Sequence, residues 1–498
     1  MSVYGEDNRM KNKQFLHATK RLSLEETKKR NANVVKAEIL FLAFSFAMPF
    51  IMALLYSLVS NATLAEIFAS AYRFAVLGGM LFFALNAIGA FYFFGHRPTD
   101  CFGKEITVIL VAIFIGFDLS TIFAGFISIY IVPICFVGFI IALLIDNKLA
   151  LYVNTISVAA FYFCYAAVRG SFDASNVLAA VLTQAVSGCF LILLSRKVYT
   201  RMSFFIDSVI VGFLVAFPIA FLSGLILPPF DALEALKDGI WSTVSILASL
   251  GIFMVLLPVF EYLFSMYSNF RLDELCTPDA PLMARLAKEA PGTYNHSLAM
   301  ANLAQACAKA IGENATLARA GACYHDIGKL RNPICFTENQ TDYNPHDDFI
   351  PEVSVSLITR HTHDGAKMIR QAGLPECLAK IAEEHHGKTT VGFFLNKTRG
   401  FTDEQIANSD FSYDGPKPST KISGLIMIVD TVEAATRAQG VDKDIRNFTA
   451  FIHKLIMSKM DSGQFSECPL TLKDLQIIEE TLVKTLPSLY HQRIKYTK

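Results

Sequence analysis

Residues 106–145 read ITVILVAIFIGFDLSTIFAGFISIYIVPICFVGFIIALLI, forty positions in which Asp118 is the one charged side chain. A membrane-crossing helix needs roughly 20 mainly apolar residues. The stretch is too long for one pass and divides into two, with the break expected near Thr121–Ser128. Comparable uncharged runs flank it on both sides: Ile39–Ser60, Phe74–Phe94, Leu149–Val168, Ala174–Ser195, Ser208–Phe230 and Gly239–Phe260. The expected architecture is a first anchor helix over 38–60 followed by seven helices within 71–264, about eight in all.

Charge follows the same division. From Glu38 to Phe264, 21 of 227 residues are charged, which leaves 67 for the other 271 positions of this 498-residue chain. The second density, about one in four, is that of an ordinary soluble domain. A 38–264 membrane domain is therefore joined to a 265–498 soluble domain, with a basic segment over 1–37. This arrangement excludes a wholly soluble enzyme and a disordered chain. With 44 basic and 44 acidic side chains, it also excludes a basic DNA-binding protein.

Nine Lys or Arg fall within the first 37 residues, including Arg9, Lys28, Lys29 and Arg30, and place that end in the cytoplasm against anionic lipid. Alternation then gives cytoplasmic loops carrying Arg97, Lys104, Lys148, Arg196, Lys197 and Arg201, against Arg73, Arg169 and Lys237 on the other side. An even number of passes returns the soluble domain to the cytoplasm. The first segment lacks a small-residue cleavage site and reads as an uncleaved anchor. Asp118 and Asp207 fall near expected helix ends, so the membrane half reads as an anchor or sensor rather than a transport path. The ten cysteines form no CxxC pair and fit a reducing compartment.

From about Arg271 the pattern changes to short amphipathic helices, expected over 295–311, from 314 to the stretch at 325–329, and over 352–372, 376–386, 419–438 and 471–485. No stretch alternates like a strand, so the fold class is all-α. Seven of the eleven histidines lie between His296 and His386. His325 precedes Asp326, His385 precedes His386, and His361 lies between the pairs. Asp430 interrupts the apolar run Leu425–Val429, where an unpaired charge costs many kcal/mol, so it reads as a metal ligand. Imidazoles and carboxylates without thiolates suit manganese, iron, zinc or related divalent ions. Two such ions about 3.5–4 Å apart can stabilise both oxygens of a phosphodiester undergoing cleavage.

The stretch Tyr324-His-Asp-Ile-Gly-Lys329 resembles the HD phosphohydrolases. With Glu289-Ala-Pro-Gly-Thr-Tyr-Asn-His-Ser297, Glu338-Asn-Gln340, Asn344-Pro-His-Asp347, His385-His-Gly387 and Gly415-Pro-Lys-Pro418, the chain is similar to the membrane-anchored HD hydrolases of the PgpH type, which are bacterial cyclic-di-AMP phosphodiesterases. The resemblance covers roughly residues 70–490. It implies one metal held by His296, His325, Asp326 and Asp430, and a second held by His361, His385 and His386 with Asp326 bridging. Manganese and iron come first among the candidate ions. Lys329 would contact a substrate phosphate, with Glu338, Asn339, His346, Lys417 and Arg437 as weaker substrate contacts. His363 reads as a surface residue, and Glu433 and Arg437 share a helix face with Asp430.

Two departures stand out: Asn295 occupies a position where relatives commonly carry His, and a large domain usual after the first membrane helix is replaced by the short gap at about Asn61–Arg73. The implied activity is hydrolysis of cyclic-di-AMP to pApA by a metal-activated hydroxide, at a bacterial inner membrane, with the HD domain in the cytoplasm. The partners are the cyclic dinucleotide, the lipid bilayer and a second copy in a homodimer. Cyclic-di-GMP, ppGpp or a mononucleotide are alternative substrates, although the absence of a GYP motif after His386 favours the adenine dinucleotide. A nucleotide receptor without turnover is a further alternative.

Overall fold

The computed structural model describes residues 32, 35–59, 71–95, 102–169, 173–195, 200–227, 230–392, 394, 411–440 and 444–489. The chain divides into two compact units, Met1–Met266 and Tyr267–Lys498. Among the described residues the elements are helical, with a single isolated bridge between Thr390 and Ser412. The fold is all-α, as expected. The basic clusters at Arg9 and Lys28–Arg30, and the loop residues Arg97, Arg196 and Lys197, lie outside the described residues.

The first unit contains α1 (Val35–Val59), α2 (Ala71–Gly95), α3 (Phe102–Phe126), α4 (Cys135–Leu144), α5 (Asn147–Arg169), α6 (Ala174–Ser195), α7 (Arg201–Ile226) and α8 (Ala232–Phe264). Among the described residues six of these are long and apolar enough to cross a membrane, and the chain is a multi-pass membrane protein. The long 106–145 stretch does divide, but α3 continues to Phe126 and the break falls at 127–134 instead of 121–128. This extension also leaves Asp118 two turns inside α3, not near its end. The second half, α4, has only 10 residues. At 1.5 Å per residue it spans about 15 Å, half the hydrocarbon core, so the eighth crossing that the sequence suggested is only half helical, the irregular 127–134 segment making up the rest.

The irregular 127–134 segment survives at membrane depth because other helices satisfy its carbonyls. Tyr162 Oη donates to Ile129 O (2.6 Å), Gln184 Nε2 to Tyr130 O (3.0 Å), and Ser245 Oγ to Val132 O (2.7 Å). Unwound backbone is tolerated in a membrane only when it is enclosed in this way. α7 carries a π-turn at Gly212–Ala216, and Thr243 Oγ1 donates to the Gly212 carbonyl at 3.0 Å.

The second unit contains α9 (Asn269–Leu275), α10 (Pro281–Glu289), α11 (Pro291–Ala310), α12 (Ala315–Tyr324), α13 (Pro351–Thr359), α14 (His361–Gln371), α15 (Glu376–Glu384), α16 (Lys421–Gln439), α17 (Ile445–Asp461) and α18 (Leu472–Leu489). Alanines at 301, 304 and 308 on α11 and at 318, 320 and 322 on α12 are fully buried. Their small side chains let these two helices pack closely, and Leu425, Val429, Ile478 and Leu482 complete the core. The expected 352–372 helix is two, because α13 ends at Thr359 and α14 begins afresh at His361. α17 has no counterpart in the sequence reading, although Phe448, Ile452 and Ile456 form a buried i, i+4, i+8 stripe.

Candidate metal centre

Each expected metal ligand stands at or beside the end of a helix, except His296 and Asp430. His296 lies in the second turn of α11 and Asp430 at the middle of α16. His325 follows α12, Asp326 leads the 3₁₀ turn Ile327–Arg331, His361 opens α14, and His385 and His386 follow α15. Gly328 makes the convergence feasible. A Cβ there would stand 1.9 Å from the His361 carbonyl oxygen and 2.5 Å from Gly365 N, so only glycine lets this turn lie against the start of α14.

The structure brings all seven residues together. One nitrogen or oxygen from each of His296, His325 and Asp326 lies within 4.8 Å of the others, and the same holds for His361, His385 and His386. Asp326 faces both groups. Its Oδ2 lies 3.3 Å from His325 Nε2 and 3.7 Å from His296 Nε2, while its Oδ1 lies 3.2 Å from His361 Nε2 and 3.7 Å from His385 Nε2. Asp430 Oδ1 approaches His296 Nε2 at 3.2 Å, and its Oδ2 approaches His386 Nδ1 at 3.8 Å.

Hydrogen bonding prepares these rings as ligands. The Nδ1 atoms of His325, His361 and His385 lie 2.7, 2.6 and 2.8 Å from the carbonyls of Ala322, Ile358 and Ala382. A carbonyl only accepts, so each Nδ1 carries a proton and each ring turns its Nε2 inward. Two such nitrogens, on His361 and His385, meet at 3.3 Å. His325 Nε2 and Asp326 Oδ1 are buried without a hydrogen-bond partner. Orphaned lone pairs facing one another at this density fit a set of divalent cations.

Electrostatics agree with that donor set. Burial, reinforced by His325 and His361, depresses His385 to about 3. Burial and the neighbouring His385 likewise hold His386 well below the usual histidine range, so both rings remain neutral. Burial alone would raise the Asp326 carboxyl, but His325 and Lys329 hold it well below the ordinary carboxylate range. His296 differs: burial opposes its charge, yet Asp430 and then Glu433 raise it to about 9. Its Nδ1 lies 2.7 Å from buried Glu433, which fixes the ring, while Nε2 is the atom a metal would take from the proton.

A cavity of about 480 Å³ opens over the centre and is lined by His296, Asp326, Lys329, Phe336, Glu338, His346, His361, His386, Phe394, Tyr413, Asp430 and Arg437, among others. Small-molecule sites commonly fall within roughly 300–1,000 Å³. Of the weaker expected contacts, Glu338, His346 and Arg437 line this space. Asn339 instead bonds Thr293, and Lys417 Nζ donates to Ser466 Oγ at 3.0 Å on the exposed surface. His363 is exposed beside Glu383. Sequence reasoning missed Tyr413, whose ring centre is 4.3 Å from that of His386, because a tyrosine two residues before the Gly415–Pro418 motif carries no spacing signal. It also missed Glu384, which accepts from Ser419 N (3.0 Å) and Ser419 Oγ (2.6 Å) and so ties the paired histidines to the segment entering α16.

Two family descriptions match the chain: "7TM receptor with intracellular HD hydrolase" over residues 73–268 and "HD domain" over 293–435. The chain is 36% identical over 372 residues to the cyclic-di-AMP phosphodiesterase PgpH of Bacillus subtilis, an alignment covering 74% of this chain and 51% of that protein. It is 42% identical over 241 residues to the PgpH of Listeria monocytogenes, covering 48% of this chain and 33% of that protein. The chain thus spans about half of the length of the first relative and a third of the second. The solved HD domain of L. monocytogenes PgpH in complex with cyclic-di-AMP aligns at 43% identity over 43% of this chain and 100% of that one, with a TM-score of 0.41.

Proposed function

We propose that the chain is a membrane-anchored HD hydrolase of the PgpH type and that it hydrolyses cyclic-di-AMP to pApA at a two-metal centre. The observation that carries this reading is Asp326: its two oxygens address two separate groups of imidazole nitrogens, as a carboxylate shared between two cations requires. In the proposed centre His296, His325, Asp326 and Asp430 would hold one ion, and His361, His385 and His386 with Asp326 would hold the other. Manganese or iron suits this ligand set. Bound divalent ions supply charge neutralisation at the phosphate and a water of lowered pKa.

The chain's own groups position the substrate. Lys329 Nζ stands beside Asp326 at the cavity wall and offers a cation to a phosphate oxygen, with Arg437 as a second cation lining the same space. Phosphoryl transfer depends mainly on such placement and charge. His361 and Tyr413 line the same space, their rings 5.9 Å apart and edge to face. The adenine preference rests on the phosphodiesterase relatives. The proposed organisation is a membrane domain over 38–264 and an HD domain over 265–498, the latter facing the cytoplasm of a bacterial inner membrane, as the bias of basic residues indicates.

The test uses the purified full chain in detergent with Mn²⁺. It is incubated with cyclic-di-AMP or cyclic-di-GMP and linear product is followed, with Asp326→Ala alongside. The expected result is conversion of cyclic-di-AMP to pApA by the parent chain and loss of both metals and turnover in the variant. Turnover by Asp326→Ala with normal metal content would overturn the reading.

A further inference from the structure

A carboxylate in the wall of a phosphate site is a puzzle, since it repels the substrate. Glu338 is that carboxylate. Its side chain is 10% exposed, it lines the cavity, and its Oε1 lies 2.8 Å from Lys329 Nζ. The same ammonium lies 2.7 Å from Asp326 Oδ2, and the Phe336 ring centre is 4.9 Å from it. Lys329 thus has two anionic partners, one of which is the carboxylate proposed to bridge the metals.

Glu338 is itself held from a distance. Thr293 Oγ1 donates to Glu338 Oε1 at 3.0 Å, Asn339 Nδ2 donates to Thr293 Oγ1 at 2.8 Å, and Thr293 N donates to Asn339 Oδ1 at 3.1 Å. Asn339 therefore caps the first turn of α11, where Ala290 provides no side-chain cap. Gly292 lets the two segments touch, because a Cβ there would stand 1.9 Å from the Glu338 carbonyl oxygen. The Pro291-Gly292-Thr293 and Glu338-Asn339 motifs, 45 residues apart, thus form one bracket that ends at Lys329.

We propose that Glu338 is the positioning residue of Lys329, keeping the ammonium aimed into the cavity while the metals occupy Asp326. The inference rests on the reading of this cavity as a phosphodiester site. An ammonium has three donors. Metal bound at Asp326 would weaken that partner and leave Glu338 as the carboxylate that directs Lys329. Without it, the nearly buried cation loses its fixed direction. Misplacement of a reacting or orienting group by about 1 Å costs on the order of 100-fold in rate.

The test is a double-mutant cycle on the full chain in detergent with Mn²⁺, comparing the parent, Glu338→Gln, Lys329→Met and the double variant. Metal content and melting temperature are measured beside kcat and KM for cyclic-di-AMP. Glu338→Gln is expected to lower kcat about 10- to 100-fold with both metals retained, and Glu338→Asp to recover part of that loss. In the Lys329→Met background, Glu338→Gln should have no further effect. The proposal is overturned if Glu338→Gln turns over like the parent chain, if the two losses multiply, or if the variant loses metal or melts early, which would make Glu338 a structural support. A parent chain that does not cleave cyclic-di-AMP would refute the function reading instead. The same cycle is then read from binding of inorganic phosphate to the metal-loaded chain, where Glu338→Gln should weaken binding only when Lys329 is present; an equal effect in both backgrounds would overturn the proposal.

Discussion

Substituting Gly328 by alanine tests how tightly the two halves of the centre are joined. The added Cβ would stand 1.9 Å from the His361 carbonyl oxygen, whereas real Cβ contacts essentially never fall below 3.0 Å. The start of α14 or the 3₁₀ turn must therefore give way by at least about 1.1 Å. Both contacts are backbone, so no side-chain rotation relieves them. Overpacking of this kind costs about 1–3 kcal/mol of stability. The larger consequence is for His361, whose Nε2 must stay in register with Asp326 Oδ1, now 3.2 Å away. Metal–ligand distances tolerate about 0.2 Å, so a shift several times larger should remove the ion proposed at His361, His385 and His386 and spare the one proposed at His296, His325 and Asp430. The assay is elemental analysis of the purified chain with cyclic-di-AMP turnover beside it. The expected outcome is a fall from two bound metals towards one and a loss of about 100-fold in kcat. Gly392→Ala, where nothing lies within 4 Å of the new Cβ, should behave like the parent chain. Two tightly bound metals and near-parent turnover in Gly328→Ala would refute this account of the turn.

Glu433→Gln removes the carboxylate that steadies His296 Nδ1 and should weaken metal affinity about 10- to 100-fold, as read by chelator competition. Gln184→Leu strips the donor from Tyr130 O and Ser245 Oγ inside the membrane unit, and should destabilise the chain by about 1–3 kcal/mol in thermal melts in detergent. In metal-free protein, Asp430 and Glu433 raise His296 to about 9 against the opposing effect of burial. A histidine raised above its unfolded value of about 6.5 contributes stability below that pH and loses it as pH climbs through the folded value. Melts of chelator-treated chain should therefore show a drop between pH 7 and pH 10 that shrinks in His296→Gln.

The sequence made the candidate ligands legible because chemistry restricts which residues can serve. His325-Asp326 and His385-His386 are adjacent pairs, and Asp430 stands out inside an apolar run. It was less informative where a single packing decision governs the outcome. The break between α13 and α14 at Arg360 leaves the helical pattern almost intact, yet it sets the direction of His361. α17 escaped because its stripe of Phe448, Ile452 and Ile456 is narrow and its surroundings polar. Tyr413 and Glu384 reach the centre through tertiary contacts that no local spacing encodes. In the membrane half, composition revealed the apolar runs but not that one of them would be half unwound. That depended on Tyr162, Gln184 and Ser245, which are ordinary residues in their own helices.

That unwound segment imposes an order on biogenesis. When residues 127–134 leave the ribosome, the groups that satisfy their carbonyls do not yet exist: Tyr162 is 33 residues away from its acceptor, Gln184 is 54 and Ser245 is 113. Bare carbonyls are costly in lipid, so 127–144 cannot settle as an independent span and must wait, helical or held outside the hydrocarbon, until α8 has been inserted. A chain halted before Ser245 should remain accessible to proteases and to insertion factors. The last membrane helix is thus the closing step that locks an element synthesised more than a hundred residues earlier.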